Sequence, residues 1–303
     1  MKLVETATHV IVAVVLPPLL LGIIVKVKAR FAGRVGAPLL QTYRDVWKLL
    51  QKGSVFSTTT TWVFKAGPVV SLAAVMVAAL VMPLGSHPAP ISFAGDAVLF
   101  AYLLALGRFF TIAAALDTGS SFEGMGAARE ATFSALAEPA LFLGLMMLAR
   151  KSGSASLTAM LGPGLADAWV NNGGALVLVV VSFFVVLLAE NSRLPFDDPN
   201  THLELTMIHE VMVLDHGGPA FGMILYGAAL KLFILGALVA RLLTPVSTGN
   251  EWLDWIVFVV AISALAALVG VVESIMARLR LLHIPRLLVA ASIISVFAII
   301  LTR

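Results

Sequence analysis

Cysteine is absent from all 303 residues, which excludes disulfides and thiolate-ligated iron–sulfur clusters within the chain. Charge is scarce: 12% of residues are charged, about half of the ~25% carried by an ordinary soluble domain. No Gly-x-Gly-x-x-Gly or Walker-type loop is present, so nothing suggests a nucleotide site. His9, His87, His202, His209, His216 and His283 contain no His-x-x-x-His pair, and no metal site is expected from them. No small-residue cleavage site precedes the basic "KVKAR", so the N-terminus reads as a first span rather than a cleaved signal. A pI near 9.3 need not indicate nucleic acid, because basic residues beside membrane spans set orientation, and no nucleic-acid partner is expected.

What the chain does have is apolar length. It is 60% hydrophobic with a mean hydropathy of +1.00. Eight apolar segments fall near 7–25, 66–84, 97–116, 131–149, 174–189, 220–243, 252–274 and 285–302. Backbone groups in lipid must bond within their own segment, so these are expected to be helices in one all-α integral membrane domain spanning 1–303. The fifth is short and open to extension into its flanks. Loop 26–65 carries Lys26, Lys28, Arg30, Arg34, Arg44, Lys48, Lys52 and Lys65 against the single acid Asp45. With the loops on its side, that face collects thirteen Lys and Arg. The opposite face has five, namely Lys2, Arg150, Lys151, Arg241 and Arg303. The basic face is therefore expected in the cytoplasm, with both termini outside.

Most acids share the basic face. Residues 190–204, "ENSRLPFDDPNTHLE", hold Glu190, Asp197, Asp198 and Glu204 together with Arg193 and His202. Pro195 and Pro199 break any continuation of the fifth span. Asp198 suits an N-cap with Pro199 at the first helical position, and Thr201 and Glu204 form a capping box ahead of Leu205, Ile208 and Met212. That is a structural explanation for those residues. The i, i+3 and i+4 spacings of Glu190, Arg193 and Asp197 let Arg193 meet either acid and tune its proton affinity, the bland alternative being a solvated helix end.

Three charges lie inside spans. Glu138 is about eight residues into the fourth span, roughly 12 Å beyond Glu130 at about 1.5 Å per residue. A carboxylate there costs a few kcal/mol, so it is expected to face protein or water. Pro139 beside it frees a backbone carbonyl and makes hydration feasible. The residue reads as a protonatable relay, against a protonated glutamate bonded to a neighbouring helix. Arg108 and Lys231 read as counter-ions for buried acids, against snorkelling to an interface, and desolvation would let Lys231 carry protons. Glu273 and Arg278 read as boundary charge at the end of the seventh span unless they meet the other loops.

The first loop, "RFAGRVGAPLLQTYRDVWKLLQKGSVF", interleaves Leu39, Leu40, Tyr43, Trp47, Leu49 and Leu50 with Arg44, Asp45 and Lys48. This predicts an amphipathic helix along the cytoplasmic surface, facing lipid headgroups or a docked soluble subunit. Residues 115–130, "ALDTGSSFEGMGAARE", read as a polar Gly/Ser-rich connector that carries Asp117, Glu123, Arg129 and Glu130 to the same side.

These stretches resemble the H-subunit family of respiratory complex I, the bacterial counterparts of mitochondrial NADH dehydrogenase subunit 1, over essentially the whole chain. "GRVGAPLLQTYRDVWKLLQKGSVF" is similar to the family's first cytoplasmic loop. "GAAREATFSALAEP" places Glu138 at its buried-glutamate position, and "AENSRLPFDDPNTHLEL" resembles its signature at Glu190, Arg193, Pro195, Phe196, Asp197 and Glu204. Asn200 and His202 replace two of the family's usual acids, which argues against quinone use. "LDTGSSFEGMGAARE", "ENSRLPFDDPNTHLELTMIHEVMVLDHGGP", "LKLFILGAL" and "SIMARLRL" look like the branch of formate hydrogenlyase, hydrogenase-4 and related group 4 [NiFe] hydrogenases.

The resemblance implies a non-catalytic membrane anchor subunit of a bacterial or archaeal cell-membrane complex. It would have no cofactor of its own, the NiFe centre and iron–sulfur clusters belonging to partner subunits. Expected partners are the hydrogenase large and small subunits and a ferredoxin-like iron–sulfur subunit at the cytoplasmic face, antiporter-like membrane subunits, and lipid. A funnel of acids would relay protons or sodium ions: Glu138 and Glu190 carrying protons, Asp197 and Glu204 shaping the entrance, with Asp117, Glu130 and Glu210 in the same network. Arg129, Arg193, Arg108 and Lys231 would tune the acids. Arg34, Gln41, Arg44, Asp45 and Lys48 would serve docking. The alternatives are the quinone-binding member of an NADH–quinone oxidoreductase and, from another class, a stand-alone ion-coupled transporter. No internal repeat favours the last.

Overall fold

A computed structural model describes residues 2–197 and 207–302. Among them the apolar runs become helices: α1 (Lys2–Phe31), α2 (Gln41–Leu50), α3 (Trp62–Val81), α4 (Asp96–Asp117), α5 (Ser121–Ser152), α6 (Leu157–Met160), α7 (Gly164–Glu190), α8 (Gly218–Leu243), α9 (Glu251–Ile275) and α10 (Ile284–Leu301). All but α2 and α6 belong to eight stretches long and apolar enough to cross a membrane. An even number of crossings puts both ends of the chain on one face. The other face gathers α2, the short turn at 118–120, and the segments that follow α7 and α9.

α8 is the central post, packed against α1, α2, α3, α7 and α9. Two prolines explain how α1 is fixed to it. Pro17 and Pro18 lie inside α1, and Pro18 has no N–H to offer the Val14 carbonyl one turn back. Tyr226 of α8 donates its hydroxyl to that carbonyl at 2.9 Å, and Tyr43 of α2 donates to the neighbouring Val15 carbonyl. The broken ladder thus becomes an inter-helix joint. The amphipathic helix expected in the first loop is α2, which buries none of its residues fully and rests on α1 and α8.

Two expectations are corrected, and the extension left open for the fifth span is met. The fourth span begins at Ser121, ten residues before the expected start at 131, so the connector expected at 115–130 shrinks to 118–120. Gly124 and Gly126 read as loop signals, yet both are helical. A Cβ on Gly126 would lie 2.3 Å from Val211 Cγ1 and 2.9 Å from the Ile208 carbonyl, so this glycine is where the 207–213 segment closes on α5. The fifth span reaches back to Gly164 through a non-helical Asn172 at φ −137°, ψ 35°, just before the expected start at 174. Arg241, counted above as an outer-loop charge, is buried in the last turn of α8. It donates to the carbonyls of Leu161 (2.9 Å), Thr244 (3.1 Å) and Val246 (3.0 Å). The capping box at Asp198, Thr201 and Glu204, with Asn200 and His202, lies outside the described residues.

Gly126→Val forces the backbone of the 207–213 segment away from α5. Overpacking of this kind is expected to cost ~1–3 kcal/mol, checked by a lowered Tm of the detergent-purified protein and faster proteolysis within 207–217.

Candidate functional site

Arg108 sits midway along α4, where a lone guanidinium in an apolar layer must find anions. Its Nη1 donates to Glu138 Oε1 of α5 at 2.6 Å. Its Nη2 donates to both carboxylate oxygens of Glu190, the last residue of α7. Its Nε is 3.8 Å from Glu130 Oε1, also on α5. Lys231 of α8 completes the cluster with Nζ 2.8 Å from Glu190 Oε2. Four helices therefore meet at three carboxylates and two cations. The side chains of Arg108 and Glu190 are 7% and 4% exposed, whereas that of Glu138 is 40% exposed along α5.

A second set of pairs fixes the turn after α7. Arg193 Nη1 lies 3.3 Å from Glu273 Oε1 of α9, and Lys28 Nζ of α1 lies 2.8 Å from the other oxygen of the same carboxylate. Asp197 Oδ1 pairs with Arg278 at 2.8 Å. Asp197 Oδ2 accepts from the backbone N–H groups of Ile208 (3.0 Å) and His209 (3.1 Å). Arg129 of α5 donates to the Met207 carbonyl at 2.9 Å. A cavity of about 470 Å³ lies within this frame, lined on its polar side by Asn191, Arg193, Asp197, His209, Glu210 and His216. A smaller one of about 50 Å³ lies beside Arg108, Glu130 and Lys231.

Arg108, Glu130, Glu138, Glu190 and Lys231 thus converge, and Glu210 lines the larger cavity. Two expected pairings are corrected: Arg193 meets Glu273, and Asp197 meets Arg278, because the chain leaves the helix at Asn191 before the i, i+4 geometry can form. Glu273 and Arg278 are accordingly parts of the framework, not boundary charge. Asp117 is placed elsewhere. It accepts from Thr61 N (2.7 Å), Thr61 Oγ1 (2.8 Å) and Phe64 N (3.2 Å), satisfying the first turn of α3. Glu204 lies outside the described residues. Of the docking candidates, Arg34, Arg44 and Lys48 are exposed, while Gln41 and Asp45 are half-buried and bonded to each other at 2.8 Å. Sequence reasoning gave no role to His209, and placed Glu123 only as a connector acid, whereas it is buried and accepts from the Asp215 N–H at 3.1 Å. Neither belongs to a periodic pattern that would have marked it.

Eight crossings around a buried ion-pair network define a polytopic helical membrane protein. Residues 4–303 match the family described as NADH dehydrogenase, and the chain belongs to it. It is 33% identical over 241 residues to hydrogenase-4 component C of Escherichia coli (strain K12), covering 80% of this chain and 75% of that protein. It is 31% identical over 280 residues to formate hydrogenlyase subunit 4 of the same organism, covering 89% of each. Its fold matches a chain in the structure of the membrane-bound sulfane sulfur reductase, an archaeal respiratory membrane complex. That match has a TM-score of 0.82 at 22% identity, over 100% of this chain and 99% of the other.

Removing Arg108 leaves three carboxylates without their shared cation. Arg108→Ala is expected to destabilise the purified subunit by ~3–5 kcal/mol or to block its accumulation. Arg108→Lys is expected to fall between, because an ammonium lacks the fork that holds two carboxylates at once. Thermal unfolding followed by tryptophan fluorescence checks both.

Proposed function

We propose that this chain is the membrane subunit of a [NiFe]-hydrogenase-type redox complex, docking a soluble electron-transfer module and relaying protons or sodium ions. The observation that carries the reading is the Arg108 cluster. Three carboxylates against two cations leave one negative charge in excess inside the bundle, the condition under which a mobile cation is taken up and released. Glu138, whose side chain is 40% exposed on α5, leaves that cluster reachable from outside the bundle. The likeness to hydrogenase-4 component C and formate hydrogenlyase subunit 4 supports the hydrogenase branch.

In this reading the basic face is cytoplasmic and both termini are outside. The hydrogenase large and small subunits and a ferredoxin-like iron–sulfur subunit dock there through the first loop, the start of α5 and the segments flanking the larger cavity. Those partners hold the NiFe centre and the iron–sulfur clusters. Antiporter-like membrane subunits lie beside the chain, and electron transfer in the docked module biases the carboxylate network between states. Glu138 and Glu190 carry the ion, and Asp197 and Glu204 shape its entrance. A second reading, a quinone-binding subunit, is favoured by the cavity of about 470 Å³, which is within the roughly 300–1,000 Å³ of small-molecule pockets.

Purification through a tag on this chain in mild detergent separates the readings. Nickel with hydrogen–methyl viologen activity is expected. Iron without nickel, accompanied by quinone reductase activity, would move the chain to the second reading, and no metal-bearing partner would favour a stand-alone transporter. In vesicles containing the complex, Glu138→Gln is expected to lower the charge moved per hydrogen turned over at least tenfold. An unchanged ratio in an assembled complex would remove Glu138 from the mechanism.

A further inference from the structure

The two cavities share three lining residues, one of them polar. The larger is bounded by α1, the start of α8 and the segments around Asp197 and Glu210. The smaller lies between α3, α4, α5 and α8 beside Arg108, Thr111, Glu130 and Lys231. Among the described residues His209, Ile224 and Ala228 line both, and of these only His209 is polar. The ring is therefore part of the wall between a loop-side space and the buried charge cluster.

Its position is built, not incidental. Asp197, itself buried and paired with Arg278, holds the backbone N–H groups of Ile208 and His209, while Arg129 holds the Met207 carbonyl. Its chemistry is left over. His209 Nδ1 is buried with no hydrogen-bond partner among the described residues, and Arg108 Nε, facing the smaller cavity's charge cluster, is in the same condition. A histidine kept only for packing ordinarily has its buried ring nitrogens satisfied. The smaller cavity, about 50 Å³, exceeds the ~10–15 Å³ that one water requires, and its lining offers several polar partners.

We propose that His209 is the proton-transfer residue that connects the larger, loop-side cavity to the Arg108 cluster, working through water held between its ring, Arg108 and Glu130. This deepens the relay reading above and rests on it. A proton from water or an acid of the larger cavity binds one ring nitrogen and forms imidazolium. The proton on the other nitrogen leaves through the bridging water to the Glu130 carboxylate. The ring is then neutral in its other tautomer, and reorientation resets it. One proton crosses the wall and no electrons move. The charged groups that act on the ring or line its cavities are Glu130 on α5, Lys231 on α8, Asp197 on the turn, Glu190 on α7, Arg108 on α4 and Glu210 beside it. Burial lowers the ring's proton affinity and Lys231 lowers it further, while Glu130, Asp197 and Glu190 raise it. The ring thus rests neutral near pH 7 and holds a proton transiently.

The test uses the whole complex in vesicles, with assembly read as nickel bound per tagged chain. His209→Gln is expected to lower charge moved per hydrogen at least tenfold. His209→Ala is expected to do the same, and added imidazole, small enough for the larger cavity, is expected to restore a substantial part of the ratio. Should the glutamine variant assemble poorly, His209→Asn carries the same expectation in a smaller side chain. A wild-type ratio in any assembled His209 variant overturns the proposal, as does a lowered ratio that imidazole leaves unmoved. Glu138→Gln, run alongside, distinguishes the failures. If it lowers the ratio while the His209 variants do not, only the histidine step fails. If neither lowers it, the relay reading fails with it.

Discussion

Arg108 is the constraint around which the helices of this protein are arranged. Its guanidinium lies in an apolar layer, where an isolated charge is costly, and its partners must all be brought to it by other helices: Glu130 and Glu138 by α5, Glu190 by α7, and Lys231 by α8 through Glu190. Each of those helices is held at a fixed rotation and height, since a turn in either direction would strand a charge. Such a network is a poor way to gain stability. Well-packed apolar side chains of the same volume often do as well or better, whereas removing one member of an existing buried pair costs several kcal/mol. A bundle that retains five ionisable groups at its centre is therefore better explained by what the charges do than by what they hold together.

A second tier of ion pairs turns this centre into a site with an approach. Glu273 on α9 is shared by Lys28 of α1 and Arg193 of the turn after α7, and Leu279 N donates to the Pro195 carbonyl at 2.9 Å. The chain leaving α7 is thereby tied to both α1 and α9, and Asp197 carries the tie onward to Ile208 and His209. The larger cavity is the space this framework encloses, and the buried cluster lies immediately beyond its inner wall.

The spans were legible in the sequence because hydropathy is a local property, and α2 was legible because amphipathic alternation is too. The errors came where a local signal had a distant cause. Gly124 and Gly126 resembled a loop, but the closeness of Val211 and Ile208 to Gly126 accounts for that glycine inside α5. The apolar run of the fifth span began at 174, just after the distortion at Asn172 through which the helix continues. At the site, the cost of placing charge in lipid singled out Glu138, Arg108 and Lys231 without any structure. Their partners were not readable. Arg108 and Glu190 are 82 residues apart, whereas the pairing the sequence favoured, Arg193 with Glu190 or Asp197, assumed a helix that ends at Glu190. Local spacing set Arg193 against these acids, whereas Glu190 pairs with Arg108 and Lys231, and Asp197 with Arg278.

The bundle holds its buried acids in two ways, and the difference bears on mechanism. Near the face that holds both chain ends, Asp96 accepts from Ser92, Ser156 and the backbone N–H groups of Phe93 and Leu157. Asp254 is held by Ser86, Ser247 and Thr248. Hydroxyls and backbone amides of adjacent segments fix a carboxylate in one place and in one role. The Arg108 cluster has no such fixity. One guanidinium serves three carboxylates on two helices, so strengthening its bond to one weakens its hold on another, and Lys231 competes for the one they share. In the proposed relay, a partner that displaced the Asp197 turn would reach His209 through its backbone N–H. From there it would shift the balance among Glu130, Glu138 and Glu190 without breaking any helix. The proposed relay would draw on that difference, because a cation shared among several acids can be re-paired without moving the helices that carry them.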